Sequence, residues 1–125
     1  MNTFRILVVD DNYSKVELVG QVIKDNLDCE IEYSNTTNEA LKKIRDFSYD
    51  LVVVDMNLPQ IIGDSPSLGN GKELIENIFR NNKVNKPFCV IGATSHSSAY
   101  QENIATLSKY GIPLVLIDET NSELK

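Results

Sequence analysis

Hydrophobic and polar positions alternate along the chain between two kinds of pattern. Phe4-Arg5-Ile6-Leu7-Val8-Val9 is a β-branched-rich run that stops at two carboxylates, Asp10 and Asp11. Its near-continuous apolarity predicts a strand buried on both faces, as in a parallel sheet. Val16, Val19, Gly20, Ile23 and Leu27 then recur at helical spacing, and Ser14 with Glu17 forms an S-x-x-E capping-box pattern. A short strand is expected around Cys29–Tyr33. Thr36 with Glu39 offers a second capping box, opening a helix whose inner face is Ala40, Leu41, Ile44 and Phe47. Leu51-Val52-Val53-Val54 is the next apolar strand, and it too ends in acid, at Asp55.

Residues 57–71 read as irregular, with Pro59, Gly63, Pro66, Gly69 and Gly71 marking turns. Leu74, Ile75, Ile78 and Phe79 give a helical stripe. Asn81-Asn82-Lys83 and Pro87 break it before the strand Phe88-Cys89-Val90-Ile91. Ser98 with Gln101 can cap a helix carrying Tyr100, Ile104 and Leu107. Gly111 fits its terminator with Pro113 beyond, and Leu114-Val115-Leu116-Ile117 makes a last strand. No internal repeat, low-complexity tract or linker interrupts the series.

Strands alternating with helices predict βαβ units: an α/β, flavodoxin-like, doubly wound parallel sheet of five strands in the order 2-1-3-4-5. Ligands bind such sheets outside the carboxyl ends of the strands, where the winding direction switches. Strands one and three are neighbours there, so Asp10, Asp11 and Asp55 are expected to converge. A lone Asp after a strand usually forms a turn or caps a helix. Two apolar strands ending in acid, one of them in a pair, favour a site instead. Three carboxylates so close need a cation or protonation to offset their repulsion. Hard oxygen ligands at an open site suit Mg²⁺ or Mn²⁺.

Composition narrows the classes further. The 125 residues, 42% hydrophobic and 24% charged, suit one domain, residues 1–125, with a real core. A net charge of −6 disfavours binding of nucleic acid or an anionic membrane by this chain alone. No apolar run approaches the roughly 20 residues a membrane helix needs, and the opening MNTFRILVVDD is unlike a signal peptide. Cys29 and Cys89, in apolar or alternating stretches, suit buried thiols in a reducing cytoplasm. One histidine and two distant cysteines make no zinc cluster.

Taken together, Ile6-Leu7-Val8-Val9-Asp10-Asp11-Asn12 and Leu51-Val52-Val53-Val54-Asp55-Met56-Asn57-Leu58-Pro59 resemble the motifs of response-regulator receiver domains of two-component signalling. Val90-Ile91-Gly92-Ala93-Thr94-Ser95 is similar to the family's fourth strand with its switch hydroxyl, and the likeness runs from about Phe4 to Ile117. The resemblance implies that Asp55 is the phosphoacceptor and Asp11 the direct metal ligand. Asp10 would act largely through water, and the main-chain carbonyl of Asn57 would complete the ligands of a Mg²⁺ or Mn²⁺ ion. Thr94 would hydrogen-bond the phosphoryl group, and small Ser95 would leave room for it. The implied partners are a histidine kinase or phosphotransfer protein and a downstream protein target, with no turnover enzyme activity.

The chain also departs from the family. The Lys that normally follows the fifth strand is absent, and counting from Gly111 puts Asp118, followed by Glu119, nearest its place. The aromatic switch position falls near Val115. Only Asp118–Lys125 follows the last strand, implying a short or missing fifth helix. The loop Gln60–Asn70 is longer than usual. Gly71-Lys72-Glu73 fails the phosphate-loop pattern, since Glu73 stands where Ser or Thr should bind Mg²⁺. His96 is a weak general-base candidate, more simply a surface residue ahead of a helix. A phosphorylatable receiver and a pseudo-receiver acting as a phosphorylation-independent interaction module both remain open.

Overall fold

The computed structural model of the chain describes residues 4–63, 65–66, 68–81, 86–87, 89–95 and 97–117. Strands β1 (Phe4–Val9), β2 (Cys29–Ser34), β3 (Leu51–Asp55), β4 (Cys89–Thr94) and β5 (Leu114–Leu116) alternate with helices α1 (Tyr13–Asn26), α2 (Thr37–Asp46), α3 (Leu68–Arg80) and α4 (Ser97–Lys109). All pairings are parallel and the order is β2-β1-β3-β4-β5, as the alternation predicted.

The apolar runs of β1, β3 and β4 divide between two cores because successive side chains point to opposite faces. Leu7, Val9, Val52, Val54 and Val90 pack with Ala40, Ile44, Leu74, Ile75, Ile78 and Leu107, under α2, α3 and α4. Ile6, Val8, Val53 and Ala93 pack with Val16, Val19 and Ile23, under α1. Burial on both faces explains why these strands read as continuous hydrophobic stretches. Among the described residues, no helix is long and apolar enough to cross a membrane.

Several local expectations shift. The cap of α1 is Asn12, whose side chain accepts from the Lys15 N–H, so the helix starts before the Ser14–Glu17 box. Asn caps a helix as well as Ser does, and it comes first as the chain leaves β1. Thr36 does cap α2, accepting from the Glu39 N–H. Leu27 and Phe47 are the exposed, extended C-caps of α1 and α2 and do not belong to their inner faces. Phe47 lies beneath the Arg5 guanidinium instead. Helix α3 begins at Leu68, inside the stretch read as irregular, and Ser98 lies within α4 rather than capping it.

Gly111 behaves as expected: its φ of +72° closes α4 while its N–H and that of Ile112 donate to Ser108 and Leu107 carbonyls. On β5 only Leu114 is buried; Val115 and Leu116 are exposed, as befits a strand at the sheet edge. Cys29 is half-buried and Cys89 exposed, because both open their strands at the sheet's lower rim, so the expected burial of the thiols does not hold. The expected short or missing fifth helix concerns residues 118–125, which lie outside the described residues.

Candidate functional site

Strand register assembles the site. Val9 pairs with Val54, so the next residues, Asp10 and Asp55, leave neighbouring strands side by side. Asp10 and Asp55 are buried and Asp11 is exposed. One carboxylate oxygen from each of the three lies within 4.8 Å of the others. Such a set fits one hard divalent ion, with the exposed Asp11 giving an approach from solvent. That approach is a cleft of about 520 Å³ that Asp10 and Asp11 share with Glu17, Tyr33, Glu39 and Ile62.

The loop after β3 is fastened from both sides. Pro59 and Gln60 carbonyls accept from the Thr37 and Asn38 N–H groups at the start of α2. Leu58 and Met56 carbonyls accept from the Asn70 side-chain amide and the Gly71 N–H at the start of α3. The main chain of Asn57, a predicted ligand, therefore sits between two anchored helices and donates its N–H to the Asp55 carboxylate.

Thr94 and Ser95 stand at the same edge. Ala93 pairs with Asp55 and accepts from the Met56 N–H, so Thr94 is the next residue along the neighbouring strand. Thr94 is fully buried, Ser95 partly so. Asp118, Glu119 and His96 lie outside the described residues.

One side chain of the cluster was not anticipated: Lys15. Its ammonium lies 2.9 Å from Asp55 Oδ1 and 3.2 Å from Asp10 Oδ2, and all three side chains are almost wholly buried. The position carried a signal. A cation in the first turn of a helix opposes the macrodipole, so it needs compensation from elsewhere. Here the compensation is the carboxylate pair just before the helix.

Electrostatics follow from burial. Asp10 is raised to about 7, first by burial and then by the Asp55 charge, against the opposing pull of Lys15 and the Asn12 N–H. Asp55 is also raised, by burial foremost, while Lys15 and the Asn57 N–H work the other way. For Lys15, burial favours the neutral amine, but Asp55 and Asp10 outweigh it and raise its pKa.

A carboxyl raised on folding binds its proton more tightly in the native state, so it stabilises at low pH and loses that contribution as pH climbs toward its native pKa. Without divalent ions, the thermal midpoint should therefore fall from about pH 4, the ordinary carboxyl range, up to about pH 7, where native Asp10 ionises, and level off above it. Asp10→Asn should flatten that fall in a buffer series. An unchanged slope in the variant would assign the titration to another group.

Comparison with known proteins agrees with this arrangement. The family model described as the response regulator receiver domain matches residues 6–116. The uncharacterized protein y4jS of Sinorhizobium fredii is 39% identical over 97 residues, covering 76% of this chain. This chain spans about a quarter of that relative's length, 24%. Among solved structures, the response regulator TrrA of Thermotoga maritima, in complex with Mg²⁺-BeF, is 28% identical with a TM-score of 0.67, covering 97% of this chain and 91% of that one. The signal receiver domain of a LuxO repressor protein from Vibrio parahaemolyticus is 25% identical with a TM-score of 0.70, covering 95% and 83%. With its sheet order, its carboxylate cluster and a family match over most of its length, the chain belongs to the response-regulator receiver domains.

Proposed function

We propose that this receiver domain accepts a phosphoryl group on Asp55 in a divalent-metal-dependent reaction and signals through altered binding to a protein partner. The observation that carries the reading is the placement of Asp55. It is buried at the switch edge of the sheet, within reach of two further carboxylates, and it is held by Lys15 and the Asn57 N–H.

In the transfer, an Asp55 carboxylate oxygen attacks the donor phosphorus. The new oxygen–phosphorus bond forms as the donor's bond breaks, and that bonding pair leaves with the acetate of acetyl phosphate or the imidazole of a phosphohistidine. Both reactants are anions, so positioning and charge neutralisation dominate the barrier. Asp10, Asp11, Asp55 and the main-chain carbonyl of Asn57 would hold Mg²⁺ or Mn²⁺, whose charge lowers the repulsion between the two anions. Thr94 donates its hydroxyl to the transferred group, and Ser95 leaves space for it. Asp11 keeps the mouth of the site hydrophilic and open.

The chain is on this reading a substrate of phosphotransfer and not a turnover enzyme. Its upstream partner is a histidine kinase or phosphotransfer protein, and the chain itself acts in the cytoplasm. A second reading, a pseudo-receiver that binds partners without phosphate, draws on the Lys15 bridge, because an internal cation already offsets part of the cluster's charge. Intact mass after incubation with acetyl phosphate and Mg²⁺ separates the two. One base-labile phosphoryl group is expected, and Asp55→Ala should lose it. An unmodified native chain would support the pseudo-receiver instead.

A further inference from the structure

Lys15 is costly where it stands. Its side chain is 3% exposed, so folding strips the ammonium of water and the long stem of rotamer freedom. Its first-turn position opposes the α1 dipole as well. An exposed pair such as Arg45 with Asp46, at 3.7 Å and about half in solvent, bears none of these costs. What compensates Lys15 is the contact with Asp10 and Asp55, and among the described residues it is the cation paired with Asp55.

Resting on the reading of Asp55 as phosphoacceptor, we propose that Lys15 is the phosphoryl-binding cation of this site. Before transfer its ammonium fixes one Asp55 oxygen; afterwards it follows the charge onto the phosphoryl oxygens. The chemistry suits the part. Transfer turns the singly charged Asp55 carboxylate into an acyl phosphate carrying a phosphoryl dianion, so negative charge grows and moves outward. An ammonium has three donors, and two are engaged by Asp10 and Asp55. Among the described residues no acceptor meets the third, and the flexible stem lets the group track a small displacement of charge. The attachment of Lys15 to the first turn of α1 keeps it at the strand edge throughout.

The same geometry makes Lys15 a competitor of a divalent ion, because both draw on Asp10 and Asp55. Removing it should therefore move two measurements in opposite directions, which a purely structural role would not do. The test uses Lys15→Met, close in length but neutral, and Lys15→Arg, which retains the charge in a wider head group. Mg²⁺ affinity is read by calorimetric titration, and phosphoryl incorporation from acetyl phosphate at saturating Mg²⁺ by intact mass.

For Lys15→Met, Mg²⁺ should bind about tenfold more tightly and phosphorylation should slow by about tenfold or more, the scale of one charge lost at hydrogen-bond distance. Lys15→Arg should fall between Lys15→Met and the native chain in rate. If Lys15→Met does not fold, the neutral, more polar Lys15→Gln takes its place: a slower rate with tighter Mg²⁺ binding supports the proposal, and an equal or faster rate overturns it. Phosphorylation of Lys15→Met at or above the native rate would show that Lys15 merely plugs the cluster, overturning the proposal while Asp55 stands as acceptor. A native chain that takes no phosphoryl group would remove both.

Discussion

Gly71→Ala should destabilise the domain by about 3 kcal/mol, the upper range for forcing atoms into a packed interior. In an ordinary helix the same change would stabilise, since glycine in a helix is about 1 kcal/mol worse than alanine. The sign reverses here because α3 meets the end of β3 backbone to backbone. A Cβ on Gly71 would stand 2.5 Å from Met56 Cα and 2.9 Å from the Asp55 carbonyl carbon, with the Asp55 carbonyl oxygen nearer still. No side chain can swing aside to relieve those contacts. Either α3 lifts from the sheet, losing the Gly71 N–H bond to Met56, or Asp55 itself moves. Gly69→Ala supplies the contrast, because nothing lies within 4 Å of its added carbon in the same helix. Urea unfolding should place Gly69→Ala at or slightly above the native chain and Gly71→Ala well below it. Equal stabilities would mean that α3 does not press on β3 as described. Since Asp55 lies in the strained segment, Gly71→Ala should also slow its phosphorylation.

The contrast shows what could be read from the sequence and what could not. Strands β1 and β3 declare themselves because burial on both faces leaves residues 6–9 and 51–54 without a polar position before Asp10 and Asp55. The strand order then places those carboxylates together, so the acidic half of the site was legible. Gly71 appeared as one more turn former among prolines and glycines, and the close approach that requires it depends on where α3 lands in space. Lys15 was hidden for a related reason. Helical periodicity ranks positions by apolarity, and a lysine beside Val16 counts as solvent-facing unless its partners are already located. Those partners stand at the ends of two different strands, one of them 40 residues away along the chain. The cap of α1 was misplaced because Ser14 and Glu17 satisfy the pattern, while Asn12 satisfies the geometry two residues earlier. Caps compete locally, and the chain's exit from the strand decides between them.

Mg²⁺ should raise the thermal midpoint, and Asp11→Asn should abolish most of the increase. A ligand that binds only the native state stabilises it by mass action, by about 2.7 kcal/mol at a hundredfold excess over its dissociation constant. For a domain of this size that corresponds to roughly 10 °C. Asp11 is the informative position because it is the exposed member of the cluster and takes no part in the Lys15 bridge. Its replacement leaves the buried Asp10–Lys15–Asp55 contacts in place, so a lost response reports ligation and not collapse of the site. The pH dependence adds a second criterion. Asp10 holds its proton up to about pH 7, and a protonated carboxyl is a poor ligand. The rise produced by a fixed Mg²⁺ concentration should therefore be larger at pH 8 than at pH 6, opposite in sign to the trend expected without the ion. Scanning calorimetry at the two pH values, with and without Mg²⁺, measures both effects. An undiminished rise in Asp11→Asn would place the ion elsewhere. A rise that is equal at the two pH values would exclude Asp10 from the ligand set, leaving its carboxylate to Lys15 alone.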